Sequence, residues 1–550
     1  MSNQTFDYII VGAGTTGCVI ASRLSENPAI NVLLLEAGDT DRKPAFRNSD
    51  LRSFFTEAWN TEADWQYITE EEKYIGGRKL PISQGKVVGG GSSINGMIHV
   101  RGSRHDYDYW NYLGCEGWSY RQVLPYFKKM EDYAGGASEY HGVGGPIRIV
   151  DYTNPSPVSQ AFIEGAVQLG FKSPPWDFNG AEQVGGVGMY QYAHTKDGQR
   201  CSASVAYLDP ALERPNLTLQ TKAYVTRILL QGTRAIGVEY LQEGILHTAV
   251  VEREVILSAG PFVSPKLLML AGIGPAEHLK AHAIPVVVDL PGVGQNLQDH
   301  VLLDIGYECK QAQPIPPVIT EVGLFTHSRS GLENTAPDLQ FEFSPFMFGQ
   351  QELFIGGTHF NCVPTLLRPQ SKGSVTLRSN NPRDLAVVRT NYMQFDIDME
   401  TMLKGIELSR EIMNTAPFEK IGIKELSPGP EVKTKQQIRE SIRQLCRTEW
   451  HPSCTCKMGR DEMAVVDPQL RVYGIEGLRV ADASIMPAVV SGNTNAACLM
   501  IGEKAADMIS QGSDVRAQRY SNELSAASLG LGLSQQVEKE SRVVAMADKV

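Results

Sequence analysis

Residues 6–24 read FDYIIVGAGTTGCVIASRL, and the chain then passes through Asn31 to a second apolar run, Val32-Leu33-Leu34-Leu35, closed by Glu36. Phe6 to Val11 has the composition of a strand, Gly12 to Gly17 is a glycine-rich turn, and Cys18 to Leu24 has helical character. Strand, turn, helix, strand is the repeating unit of a parallel α/β sheet. In such a unit Gly12 permits the tight turn, Gly14 lets backbone approach a pyrophosphate, and Gly17 lets the helix pack close to the strand. The N–H groups that open the helix then face the phosphate anion. Glu36 stands nineteen residues after Gly17, at the end of the second strand, where a carboxylate can accept from ribose hydroxyls. These features predict a dinucleotide site and do not separate NAD from FAD.

The chain of 550 residues has length for three or four average domains. Its 42% hydrophobic and 21% charged residues are those of an ordinary globular protein. No stretch approaches the roughly 20 apolar residues of a membrane-spanning helix, and the start lacks the basic and small-residue features of a secretory signal. A formal charge of −11 with no dense Lys/Arg block argues against nucleic acid as a partner. The nine cysteines are scattered and form no CxxC. Neither a disulfide scaffold nor a metal site is expected, and a reducing cytoplasm suits them. Further strands are predicted within Asn216–Val238 and at Val250–Leu257, Leu339–Phe343, Ser374–Leu377 and Leu478–Val480, with helices at Met399–Met413 and Asn495–Ile509.

A second glycine cluster, Gly85-Lys86-Val87-Val88-Gly89-Gly90-Gly91-Ser92-Ser93-Ile94-Asn95-Gly96, is dense enough to run backbone against a flat polar ligand. It continues into Met97-Ile98-His99-Val100-Arg101-Gly102. Together with the N-terminal fingerprint, Gly260–Gly274, Gly292–His300 and the block Trp450–Ile509, it resembles the glucose–methanol–choline (GMC) oxidoreductases. The blocks fall in family order over residues 5–510. One departure is Ala271, where the family often has Ser.

The resemblance implies an α/β fold in which a Rossmann-like FAD domain (1–150, 200–301 and 466–512) is interleaved with a substrate domain of antiparallel sheet and helices (151–199 and 302–465). A tail, 513–550, is left over. It also implies FAD as cofactor. Gly12, Gly14, Thr15 and Thr16 would meet the pyrophosphate and Glu36 the adenosine ribose, while Val88, Gly89, Asn95, Gly96 and Met97 would line the isoalloxazine. Val225 would contact the adenine, Ala259 would belong to the same cofactor wall, and Asp482 with Ala483 would sit by the pyrophosphate and ribityl chain. Thr494 and Asn495 would bring a helix N-terminus to the flavin.

Of eleven histidines, His451 stands out, because Pro452 disfavours helix there and Trp450 adds bulk beside it. In the family, the His of this His-Pro element and a His or Asn further on form the catalytic pair, mapped here onto His451 and Asn495. An imidazole can take the hydroxyl proton of an alcohol near neutral pH. The reading is therefore FAD-dependent oxidation of a primary alcohol to an aldehyde, with hydride passing to flavin N5 and His451 as general base. Choline is the alternative substrate. Glu342 is either a solvent-facing strand acid or the acid that would hold its ammonium, and neutral primary alcohols are preferred. The family's lyase branch has a second His where Asn495 stands, and its photodecarboxylase branch lacks the His-Pro base. Oxygen, a quinone or a cytochrome could reoxidise the flavin, and the protein could be a monomer or a homodimer. Where some members attach FAD through a histidine after the Ser-Ser pair, this chain has Ile94. Acid precipitation of the holoenzyme should accordingly release the yellow cofactor into the supernatant; colour retained on the pellet would refute a non-covalent flavin.

Overall fold

The computed structural model describes residues 4–49, 57–347 and 356–511, so the tail 513–550 lies outside the described residues. Strand β1 (Gln4–Val11), helix α1 (Thr15–Leu24) and strand β2 (Val32–Leu35) form the unit read from the opening sequence. The chain returns to the same sheet with β3 (Leu217–Gln220), β4 (Tyr224–Gln231), β5 (Arg234–Gln242) and β6 (Ile245–Leu257), and once more with β7 (Leu478–Val480). β1 lies between β2 and β6, parallel to both, and β3 and β7 extend the parallel part on either side. β6 is long enough to serve two neighbourhoods: its start pairs antiparallel with β5, and its end pairs with β7.

Gly17 explains how tightly α1 sits on this sheet. A Cβ there would come within 2.0 Å of the Gly12 carbonyl oxygen. Helix 495–511 packs beside α1, with Gly502 against Val19 and Glu503 ion-paired to Arg23 at 2.7 Å. The two helices start side by side, and Thr15 Oγ1 donates to Asn495 Oδ1 at 3.1 Å.

The second sheet runs in the order Ile423–Ser427, Ile305–Gln313, Gly357–Leu366, Leu339–Ser344, Val322–Thr326, Val187–Met189, each strand antiparallel to its neighbours. Val301–Leu302 pairs with Gly357–Leu366 and with Arg447–Thr448. Helices Pro157–Gln168, Asp396–Met413 and Ala416–Ile421 pack their apolar residues against it. The interleaving expected from motif order is present in the strands themselves. The expected boundary at 150/151 falls inside strand Ile147–Asp151, which belongs to a small sheet with Glu131–Tyr133 and Gln191–Ala193. No described helix is long and apolar enough to cross a membrane. All nine cysteines are buried and unpaired.

Gly17→Ala should cost about 3 kcal/mol, because two backbones would have to separate. The variant should show a lowered Tm and poor FAD retention. An unchanged melting curve would mean that the helix can move away freely.

Candidate active site

The two sheets deliver their chain ends to one cavity with about 1770 Å³ of atom-free space, open water at the mouth included. One end of it is the nucleotide unit. Gly12 turns at φ +100° under Ser258, Gly14 is the N-cap of α1, and Thr15 and Thr16 open the helix. Glu36 accepts from the backbone N–H of Ala13 at 2.9 Å and of Gly38 at 2.8 Å, and burial pushes its carboxyl up to about 7. Val225, Ala259, Asp482 and Ala483 line the same end. Asp482 is tied down by Ser264 Oγ at 2.6 Å and the Gly260 N–H at 2.9 Å. Helix 495–511 and α1 thus aim two positive ends at the cavity, an arrangement suited to a pyrophosphate and to negative charge on a bound ring. FAD, which the resemblance implies, fits this wall: Gly12, where a Cβ would strike the Ser258 carbonyl oxygen, keeps the turn tight against the strand end, the N–H groups opening α1 can meet a pyrophosphate, and the Glu36 carboxylate lines the cavity for a ribose.

The second glycine cluster meets the cavity through Gly90, Gly91, Asn95, Gly96 and Met97. Val88 and Gly89, expected along the isoalloxazine, are not among the residues that line the cavity. Val88 is part of the apolar core, and the Gly89 N–H donates to Ala13 O at 2.7 Å. Both therefore brace the loop from behind.

His451 stands at the other end, on the loop that leaves strand Arg447–Thr448. Its position is set by Asp299, which accepts from the His451 N–H at 2.8 Å, from Thr448 Oγ1 at 2.6 Å and from Tyr392 OH. The Trp450 N–H donates to Thr448 Oγ1 at 2.7 Å, and Trp450 itself is held at φ +57°, a left-handed conformation rare for a bulky residue. The His451 Nδ1 lies 3.0 Å from Nδ1 of His300, with the rings edge to face. One proton must sit between these nitrogens. On the far side Asn493 Nδ2 approaches His451 Nε2 at 3.5 Å, so Nε2 carries the lone pair and Nδ1 donates to His300. Burial, with His300 beside it, lowers the His451 pKa well below the usual imidazole value, and the ring is neutral.

Asn493 displaces Asn495 as partner of the imidazole. The Asn495 amide is committed to Thr15, on the nucleotide side, because it already belongs to the helix, whereas Asn493 lies in the turn before it. Asn493 also bonds Glu342, and its Oδ1 has no hydrogen-bond partner. Glu342 itself is not solvent-facing. Its strand is buried on both faces, and Glu342, the one half-buried position in it, lines the cavity. Burial raises its carboxyl to about 7. Four neighbours escaped the sequence reading: His300, Glu449, Trp59 and the pairing role of Asn493. His300 closes the quoted Gly292–His300 block, which was its one visible signal.

Family models described as GMC oxidoreductase match residues 6–302 and 369–502. The chain is similar to oxygen-dependent choline dehydrogenase of Brucella suis biovar 1, at 42% identity over 92% of this chain and 95% of that protein. It is also similar to human mitochondrial choline dehydrogenase, at 40% identity over 92% and 90%. Among solved structures, pyridoxine 4-oxidase from Mesorbium loti superimposes with a TM-score of 0.85 at 30% identity, covering 91% of this chain and 98% of that one. Formate oxidase gives 0.84 at 26% identity, covering 93% and 99%.

Three variants separate the roles. His451→Ala should keep its flavin and lose anaerobic bleaching by alcohol. Asn493→Ala should slow that bleaching about 100-fold, the scale of one lost oxyanion donor. Asn495→Ala should mainly loosen FAD, read by flavin release on dilution. Slow bleaching confined to Asn495→Ala would return the pairing to that residue.

Proposed function

Since the chain belongs to the GMC oxidoreductase family, we propose that its FAD-dependent alcohol oxidation acts on a primary alcohol bearing a positively charged ammonium group, with His451 as the base. The observation that carries the substrate reading is the carboxylate of Glu342 on the cavity wall, bonded to the same Asn493 that approaches His451. Among the described residues the cation that acts on this carboxylate is Arg447, whose guanidinium is also held by Asp304, and a cationic ligand in the cavity would add favourable charge beside it. The names of the choline dehydrogenases, at 40–42% identity, point to the same chemistry. A neutral primary alcohol, the expectation from sequence, would add no such charge.

Bound FAD supplies the hydride acceptor. The residues of this chain do the rest. Asn493 Nδ2 donates to the substrate oxygen and holds it beside His451 Nε2, which accepts the hydroxyl proton. His300 keeps the imidazole in the tautomer that leaves Nε2 free. Asp299 fixes the loop, and the N-terminus of helix 495–511 stabilises negative charge on its side of the cavity. Trp59 and Trp450 close the wall against water, with ring centroids 4.5 Å apart. The electron acceptor is an open choice among oxygen, a quinone and a cytochrome, and a homodimer is as compatible with this site as a monomer.

The pH dependence carries a sign. Glu342, raised to about 7, is ionised above that pH and neutral below it, whereas His451 stays neutral throughout. For an ammonium alcohol kcat/KM should rise through about pH 7 and then level. For its uncharged carbon analogue that limb should be missing. Glu342→Gln should remove the limb and lower kcat/KM for the cation by about 10- to 100-fold. Equal limbs for charged and uncharged alcohols would defeat the proposal.

A further inference from the structure

Ile319 lines the catalytic cavity on a stretch of wall that the chemistry above does not use. It follows Pro314-Ile315-Pro316-Pro317-Val318 in the connection between strands Ile305–Gln313 and Val322–Thr326, and proline makes such a connection stiff. The backbone at and after Ile319 is pinned to the end of the strand that carries Glu342. Ser344 Oγ donates to the Ile319 carbonyl at 2.7 Å, Thr320 Oγ1 donates to the Phe343 carbonyl at 2.9 Å, and Tyr192 OH donates to the Thr320 carbonyl. Side chains two apart on a strand share a face, so Ser344 stands about 7 Å beyond Glu342 on the same face. Glu342 bonds Asn493, which approaches His451, so the wall runs from the imidazole past Glu342 to Ile319.

Against Ile319 lies Gly96, which lines the cavity as well. Its φ is not left-handed, so nothing in its backbone calls for glycine. What refuses a side chain there is space: a Cβ on Gly96 would come within 2.5 Å of Ile319 Cγ2 and 3.3 Å of its Cβ and Cδ1. The isoleucine occupies the notch that the glycine leaves. Around this contact Ile319 packs on two apolar clusters, one with Trp59, Ile94 and Phe346, the other with Met97 and Phe325. A β-branched side chain on a fixed backbone has few rotamers to retreat into. We propose that Ile319, seated on Gly96, is the specificity-determining residue that limits the length of the alcohol at the end remote from its hydroxyl. A short substituent beyond the hydroxymethyl group fits between His451 and this stop, and a longer one meets it. The limit rests on alcohol oxidation at His451 and not on the charge of the substrate.

The test uses the holoenzyme and unbranched primary alkanols from ethanol to octanol, ranked by the rate of anaerobic flavin reduction at low concentration. In the wild type the rate should climb with chain length to a short optimum. It should then fall about tenfold with the first methylene that meets Ile319. Ile319→Val should lengthen the optimum by about one carbon and Ile319→Ala by about three, the carbons each removes. Gly96→Ala should shorten it, because the new Cβ drives Ile319 into the cavity, and Gly96→Ala combined with Ile319→Ala should bring it back towards the wild-type length. Binding without turnover gives a second measurement. Unbranched primary amides, which carry no oxidisable hydroxyl, should raise the wild-type Tm most at the same chain length, and at a longer one in Ile319→Ala. The Ile319 variants decide the matter even if Gly96→Ala holds flavin poorly. An optimum unmoved by Ile319→Ala in either measurement would overturn the stop at Ile319 while leaving alcohol oxidation standing. No reduction by any alkanol, with no Tm shift from any amide, would overturn the proposal and leave the charged-substrate reading standing.

Discussion

One carboxylate, Asp299, receives the backbone of His451, the hydroxyl of Thr448 and the hydroxyl of Tyr392. Those three donors come from a strand end, a loop and a distant turn, and the carboxylate is where they are made to meet. Burial raises its pKa to about 6, yet the donors around it favour the ionised form. An ionised Asp299 accepts all of them at once, which holds the His451 loop against the positive φ of Trp450. The position of His451 is thus a consequence of an acid that does not itself line the cavity.

The same economy governs the cavity as a whole. Neither sheet encloses it alone. The parallel sheet contributes its carboxyl-end turns, the usual binding edge of such a sheet, and the antiparallel sheet contributes Glu342 from a central strand and His451 from the exit of a peripheral one. The turn 491–494 is the hinge point of the design. It receives Gln183 Nε2 on the Ser491 carbonyl at 2.8 Å and gives the Ser491 N–H to Asp106 at 2.7 Å. Asn493 is therefore presented to the imidazole while Asn495 begins a helix directed at the other end.

How much of this was legible follows from the range of the interactions. The β1–α1–β2 unit could be read directly, because glycine spacing, helix start and the acid at the strand end are local chemistry. Most residues expected along the cofactor wall line the cavity for the same reason, Val88 and Gly89 excepted, because a glycine run does not say which of its peptides face inward. The strand Leu339–Ser344 was found, but the surroundings of Glu342 were not: alternation identifies a one-sided strand, and this one is buried on both faces. His300 lies 151 residues from His451 in the chain, and no local pattern links them. Asn493 and Asn495 differ by two positions at a helix start, where periodicity has not yet begun and turn geometry decides which amide points where.

The buried thiols have a practical meaning. Every one of the nine cysteines is held above the ordinary thiol pKa by burial, including Cys454 and Cys456, whose backbones pair the His451 loop with Ala483 and Ser484. A thiol must be both reached and deprotonated before an alkylating agent or an oxidant can use it. In the folded enzyme eight of them meet neither condition, while Cys498 borders the cavity but is held protonated by burial. Inactivation by such a reagent would therefore act as a clock for local opening of the chain, recording how often the two cofactor-side loops part from one another.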